Sequence, residues 1–137
     1  MTTTRQRKPV FEWSDPRHRE GYAGERLAMA YLLRQGWRIE AHRFRFGRHD
    51  MDLVARLGSV VAFIEVKTRR TTRFGAAVEA VGPRKRAVLA RLAELWRVRF
   101  GFPDDRYRFD LIAITPGDGS TPAQVTHIAD AWRGVEK

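Results

Sequence analysis

Three side chains of this sequence have the types and spacing for phosphodiester chemistry: Asp52, Glu65 and Lys67. Met51–Leu57 and Val60–Lys67 both read as strands, and Gly58-Ser59 between them is a two-residue turn signal. If that turn closes a hairpin, Leu57 faces Val60. Counting back along both strands then sets Asp52 directly opposite Glu65, with Cβ atoms about 5 Å apart. By the same count Asp50 faces Lys67. Side chains alternate faces along a strand, so Lys67 shares a face with Glu65. Like charges directly opposite destabilise a sheet, and a divalent cation between them is the simplest remedy. The carbonyl of Val66 is a candidate third ligand. Oxygen-only ligation favours Mg²⁺ or Mn²⁺ over Zn²⁺. A cation so held polarises a phosphate and lowers the pKa of a bound water. A nearby lysine orients that water and offsets developing negative charge.

The elements that position these residues are legible around them. Residues 1–13 read as a flexible basic arm, and residues 14–137 as a single domain. Ser14 or Asp15 suits a helix N-cap and Pro16 the first helical turn. The helix runs to about Gln35, with Tyr22, Leu27, Ala28, Tyr31 and Leu32 on one face, and Gly36 stops it. Trp37–Phe46 alternates and reads as a first strand; Gly47–His49 turns it into the strand carrying Asp50 and Asp52. After Lys67 comes a polar, basic loop, Thr68–Gly75. Gly82-Pro83 opens a second helix to about Phe100, with Val88, Leu89, Leu92, Leu95 and Trp96 as its apolar stripe. Tyr107–Thr115 is a fourth strand and Gln124–Ile128 a short fifth. The order α-β-β-β-α-β-β predicts an α/β fold, a mixed sheet flanked by helices. The first three strands form an antiparallel meander, and the second helix returns the fourth strand beside the third. The third strand, almost continuously apolar, belongs at the centre of the sheet.

Composition narrows the partners. The net charge is +10, from 26 basic and 16 acidic residues, which favours polyanions, nucleic acid above all. With no cysteine there is neither a disulfide framework nor a thiolate metal site. The polar, basic N-terminus lacks the apolar core of a secretory signal, and no apolar run reaches membrane-spanning length. Cytoplasm is the expected location. Arg69, Arg70 and Arg73 follow the Glu65–Lys67 strand, where arginine forks suit phosphates flanking a cleaved bond. Arg84, Lys85 and Arg86 begin the second helix. Cations there oppose the helix dipole at a cost under about 1 kcal/mol, which an approaching polyanion would explain.

Asp52 followed by Glu65-Val66-Lys67 at a strand end resembles the PD-(D/E)XK nuclease pattern. More closely, the chain resembles the YraN family of bacterial proteins, regarded as endonucleases and related to archaeal Holliday-junction resolvases. The matching segments are Gly24–Ala28 with Tyr31-Leu32, Asp50–Ala55, Phe63–Arg69, Phe74-Gly75 with Val81, Lys85, Arg108–Asp110 and His127–Trp132. The resemblance implies a restriction-endonuclease-like fold. It implies a site with Asp52 and Glu65 as metal ligands, Lys67 as the catalytic lysine, and Glu25 as a first-helix acid that helps hold metal or water. It also implies a dimer, for which no interface is legible here. The family usually has Gly-Glu-Ile-Asp where this chain has His49-Asp50-Met51-Asp52.

Other readings stand beside this one. Asp52, Glu65 and Lys67 also fit a cross-strand ion cluster, and Glu25 a helix-surface acid. Asp110 suits a structural pairing with an arginine. Trp37, Trp96 and Phe63 suit the core. The expected function is metal-dependent hydrolysis of DNA, branched or structured DNA included. The alternatives are a non-catalytic nucleic-acid-binding module and a protein-interaction subunit.

Overall fold

The structure, a computed structural model, describes residues 16–69 and 74–133. Its elements run α1 (Pro16–Arg34), β1 (Arg38–Phe46), β2 (His49–Leu57), β3 (Val60–Thr68), α2 (Phe74–Glu79), α3 (Pro83–Phe100), β4 (Arg106–Thr115) and β5 (Gln124–Trp132). The five strands form one mixed sheet in the order β1-β2-β3-β4-β5. The meander β1-β2-β3 is antiparallel, and α3 carries the chain across so that β4 lies parallel to β3. β3 is therefore central, as its apolar run requires, with Val61 to Glu65 all buried.

Two differences from the sequence reading concern weak local signals. The short α2 lies where a loop ran into unassigned residues. β5 continues to Trp132, past an irregularity between Phe109 and Leu111 on β4 and a left-handed Asp130 at φ +53°. The basic arm, the Ser14 and Asp15 cap, Arg70 and Arg73 lie outside the described residues.

The sheet separates two cores. On one face α1 buries Ala28 and Leu32 against Leu53, Ala55, Ile64, Ile112 and Ile114. Leu27, expected on that stripe, is 40% exposed. On the other face α3 buries Leu89, Leu92 and Trp96 against Phe63, Phe109 and Leu111. Each fully buried large side chain contributes about 1.5–3 kcal/mol. Alternation assigns Val61 and Phe63 to the α3 side and Ala62 and Ile64 to the α1 side, and so Glu65 to the α3 side.

Alternation breaks in β1 and β2 at the same row. Ala41 and Phe44, three residues apart, both face α3; so do Met51 and Val54. The ladder between these strands skips Arg43 opposite Asp52, and Arg43 is left-handed at φ +60°. That conformation costs a bulky residue roughly 1–2 kcal/mol. The β2–β3 ladder, Leu57↔Val60 through Leu53↔Ile64, likewise stops short of Asp52. The sheet is kinked on both sides of this aspartate.

Candidate active site

The turn at Gly58-Ser59 sets the site. Gly58 has φ +62°, and Leu57 pairs with Val60, so a glycine-first turn carries the hairpin without strain. The register that follows brings Asp52 beside Glu65 as expected. Where the kink removes backbone pairing, the two carboxyl groups replace it. The N–H of Asp52 donates to Glu65 Oε2 at 3.2 Å, and the N–H of Val66 donates to Asp52 Oδ2 at 2.8 Å. Each acid thus grips the strand of the other, and each commits one oxygen to doing so.

These acids are short of positive charge. Burial pushes the Asp52 carboxyl well above the ordinary aspartate range, and the charges of Glu65 and Glu25 push it further; Val66 N–H and Lys85 work against them. Burial also raises Glu65, opposed by Lys85, by the N–H of Asp52 and by Lys67. Lys67 is half-buried on β3. Lys85, from the first turn of α3, stands 3.9 Å from Glu65 Oε1 and donates to the carbonyl of Asp50 at 3.3 Å. Asp50 pairs with Arg45 on β1, not with Lys67 as the simple register suggested, because the β2–β3 ladder has ended by then.

Glu25 sits behind this pair. A Cβ at Gly24 would lie 2.8 Å from Thr68 Oγ1, so the glycine lets α1 approach the end of β3 and brings Glu25 in. Glu25 is buried, with Oε1 2.5 Å from His42 Nε2 and both oxygens held by the Arg43 guanidinium at 3.1 and 2.9 Å. This two-pronged pair explains how left-handed Arg43 is maintained. Burial works against the Arg43 charge, but Glu25 outweighs it, with Asp52 and Asp50 adding to the effect. Among the described residues no three His, Asp or Glu side chains converge as a ready-made metal cage. Asp52 and Glu65 form a pair, and Glu25 supports it from the side.

The predicted basic residues divide. Arg69 and Arg84 are exposed. Lys85 belongs to the acid pair. Arg86 turns inward: its guanidinium donates to the carbonyls of Val78, in the last turn of α2, and Val81, just after it, and lies over the Trp132 ring at 5.3 Å. That corrects its expected place on a phosphate-binding surface, for its donors close the end of a helix. His42 and Arg43 went unrecognised in the sequence. Their spacing from Glu25 carries no signal, since the kink and α1 bring them together.

Asp110 is fully buried and fully partnered. It accepts from Arg108 at 3.0 Å, lies 2.6 Å from His127 Nε2 and accepts the N–H of Asp130 at 2.9 Å. These partners outweigh burial and hold its carboxyl below the ordinary range.

Fold and site together define an α/β domain with a mixed sheet and a pair of carboxyl groups, Glu65 buried and Asp52 half-buried, at a kink beside two lysines. The chain belongs to the uncharacterised protein family UPF0102, whose profile matches residues 24–114. It is 44% identical over 99 residues to a UPF0102 protein of Symbiobacterium thermophilum, covering 72% of this chain and 84% of that one. A UPF0102 protein of Geobacter sulfurreducens is 41% identical over 124 residues, 90% of this chain and 96% of the relative. One from Chlorobium phaeobacteroides is 40% identical over 101 residues, 74% and 79% of the respective lengths. No described helix is long and apolar enough to cross a membrane.

Proposed function

We propose that this protein is a metal-dependent endonuclease of the PD-(D/E)XK type, hydrolysing phosphodiester bonds in DNA, branched or structured DNA included. The reading is carried by the reciprocally bonded Asp52–Glu65 pair, half-buried and buried respectively, whose carboxyl groups are both pushed up despite the neighbouring lysines. Perturbed carboxyl groups of this kind gather where a charged ligand is to be bound. Asp52 Oδ1 and Glu65 Oε1, the oxygens not given to the backbone, and the carbonyl of Val66 would hold Mg²⁺ or Mn²⁺. The donor set is all oxygen and suits such an ion. When bound, the ion supplies phosphate polarisation and a more acidic water. The chain's own groups do the rest. Lys67 orients the attacking water and offsets charge on the phosphate as the new P–O bond forms and the old one breaks. Glu25, held by His42 and Arg43, keeps the Asp52 row in place. Lys85, Arg69 and Arg84 present cations to the flanking backbone, in keeping with the net charge of +10.

The test is cleavage of linear, nicked and four-way DNA with Mg²⁺ or Mn²⁺. Wild type should cut at least one of these, and Glu65→Ala and Lys67→Ala should not while still binding it. Equal cutting by wild type and Lys67→Ala would overturn the reading. A second reading, a nucleic-acid-binding module that keeps this fold without cutting, draws on Lys85, whose ammonium already gives Glu65 a positive neighbour. Salt-dependent binding without cleavage under any metal would favour it.

A further inference from the structure

A groove of about 480 Å³ lies between the tip of the β1–β2 hairpin and the outer face of α3. Phe46 and His49 line it from the hairpin, and Val88, Arg91, Leu95 and Val98 from α3. The volume falls in the range of sites for small organic ligands. Its apolar residues are open to solvent where a core would close over them: Phe46 is 58% exposed and Val98 69%.

The groove adjoins the acid pair. His49 precedes Asp50, whose carbonyl accepts from Lys85, and Lys85 faces Glu65. Val88 lies three residues beyond Lys85 on α3, a rise of about 4.5 Å. A strand with a phosphate at Asp52 and Glu65 would therefore run past the groove on this side of α3. The charge around it also suits a nucleic acid. Arg91 lines the groove with a guanidinium, and Arg45 and Arg48 neighbour Phe46 and His49 in sequence, Arg45 being paired with Asp50. Glu94, the acid in the lining, is paired with Arg97. We infer that this groove takes an unpaired nucleobase, stacked on Phe46 and His49, from the same strand whose backbone lies at the acid pair. Rings and apolar side chains accept any base face, and the arginines hold its phosphates.

This inference rests on the proposed function and narrows its substrate class to DNA with unpaired nucleotides beside the cut. A second copy of the chain is the competing occupant. A stable dimer needs about 800 Å² on each partner. The other exposed large hydrophobics, Leu27 and Leu33 on α1, Leu57 at a turn and Phe102 after α3, are scattered away from the groove.

The experiment is fluorescence anisotropy with Ca²⁺ in place of Mg²⁺, with a labelled thymidine oligonucleotide and a duplex of the same length. Phe46→Ala should weaken single-strand binding roughly 5- to 100-fold, the usual effect of losing one stacking ring, and leave duplex binding unchanged. Phe46→Trp should restore it. Phe46 is exposed, so circular dichroism of the variants should match wild type. Unchanged single-strand binding by Phe46→Ala, or equal loss on both ligands, overturns the inference and leaves the nuclease reading intact. So does light scattering that shows a wild-type dimer which Phe46→Ala dissociates. Failure of wild type to bind either ligand overturns both readings together.

Discussion

Asp52, half-buried, and Asp110, fully buried, are aspartates on strands of one sheet, and their surroundings treat them oppositely. Asp110, on the α1 side, has a guanidinium, an imidazole and a backbone N–H on its oxygens, and its carboxyl is held below the ordinary range. Asp52 has one backbone N–H on its carboxylate, a second acid beside it and a third behind, and its carboxyl is pushed up. The first arrangement is complete as it stands and fastens β5 to β4. The second leaves two acids side by side with Lys85 as the near cation, and on the proposed reading a bound metal ion completes it. Burial alone does not distinguish a structural acid from a functional one; the balance of its partners does.

The largest expected effect breaks the comparison on the functional side. Lys67→Ala should lower DNA cleavage by at least about 100-fold, the scale for removing one group that stabilises the transition state. Asp110→Asn should leave per-molecule cleavage near wild type. Single-turnover assays on equal folded concentrations would read both. If Asp110→Asn proved as inactive as Lys67→Ala while still folded, the two sites would not be distinct in kind.

Stability should show the reverse order. Asp110→Asn leaves Arg108 and His127 without their carboxylate and should cost about 3 kcal/mol in denaturant unfolding. Asp52→Asn removes a charge the fold disfavours and should raise stability at neutral pH by about 1 kcal/mol.

The pH dependence sharpens the same contrast. Asp52 and Glu65 bind protons more tightly folded than unfolded. Their contribution is therefore present at low pH and is lost as pH rises from the ordinary carboxylate range through their raised values. Asp110 binds its proton more weakly when folded. Its contribution is present above the ordinary range and is lost as pH falls. Stability measured against pH should gain at the alkaline end of that window in Asp52→Asn and lose its acid-side decline in Asp110→Asn. Identical profiles for the two variants would contradict the assignment.

The smallest effect concerns the turn that aligns the acids. Gly58 has open space around it, so Gly58→Ala should cost only its left-handed backbone, about 1 kcal/mol, and Gly58→Asn less. Unfolding midpoints would check both.

Much of the site was legible because it depends on local rules. Gly58-Ser59 fixes the turn, the turn fixes the register, and the register brings Asp52 to Glu65. The apolar run of β3 likewise announced a central strand. What escaped depends on tertiary contact. Arg43 abandons the regular strand because Glu25, on a different element, holds its guanidinium from behind. Once β1 and β2 kink there, strict alternation no longer says which way Phe44, Met51 or Val54 points; His42 joins the site unannounced, and Lys85, expected against a polyanion, stands beside Glu65. Arg86 misled because a charge at a helix start looks the same in sequence whether it meets solvent or the carbonyls of a neighbouring helix end.

The central claim is that Asp52 and Glu65 together await one divalent cation. Isothermal titration of the wild-type protein with Mn²⁺ tests it most directly. Wild type should show one saturable binding event, abolished in Asp52→Ala and in Glu65→Ala and retained in Asp110→Asn. Binding that survives both substitutions in the pair, or no binding by wild type, would contradict it.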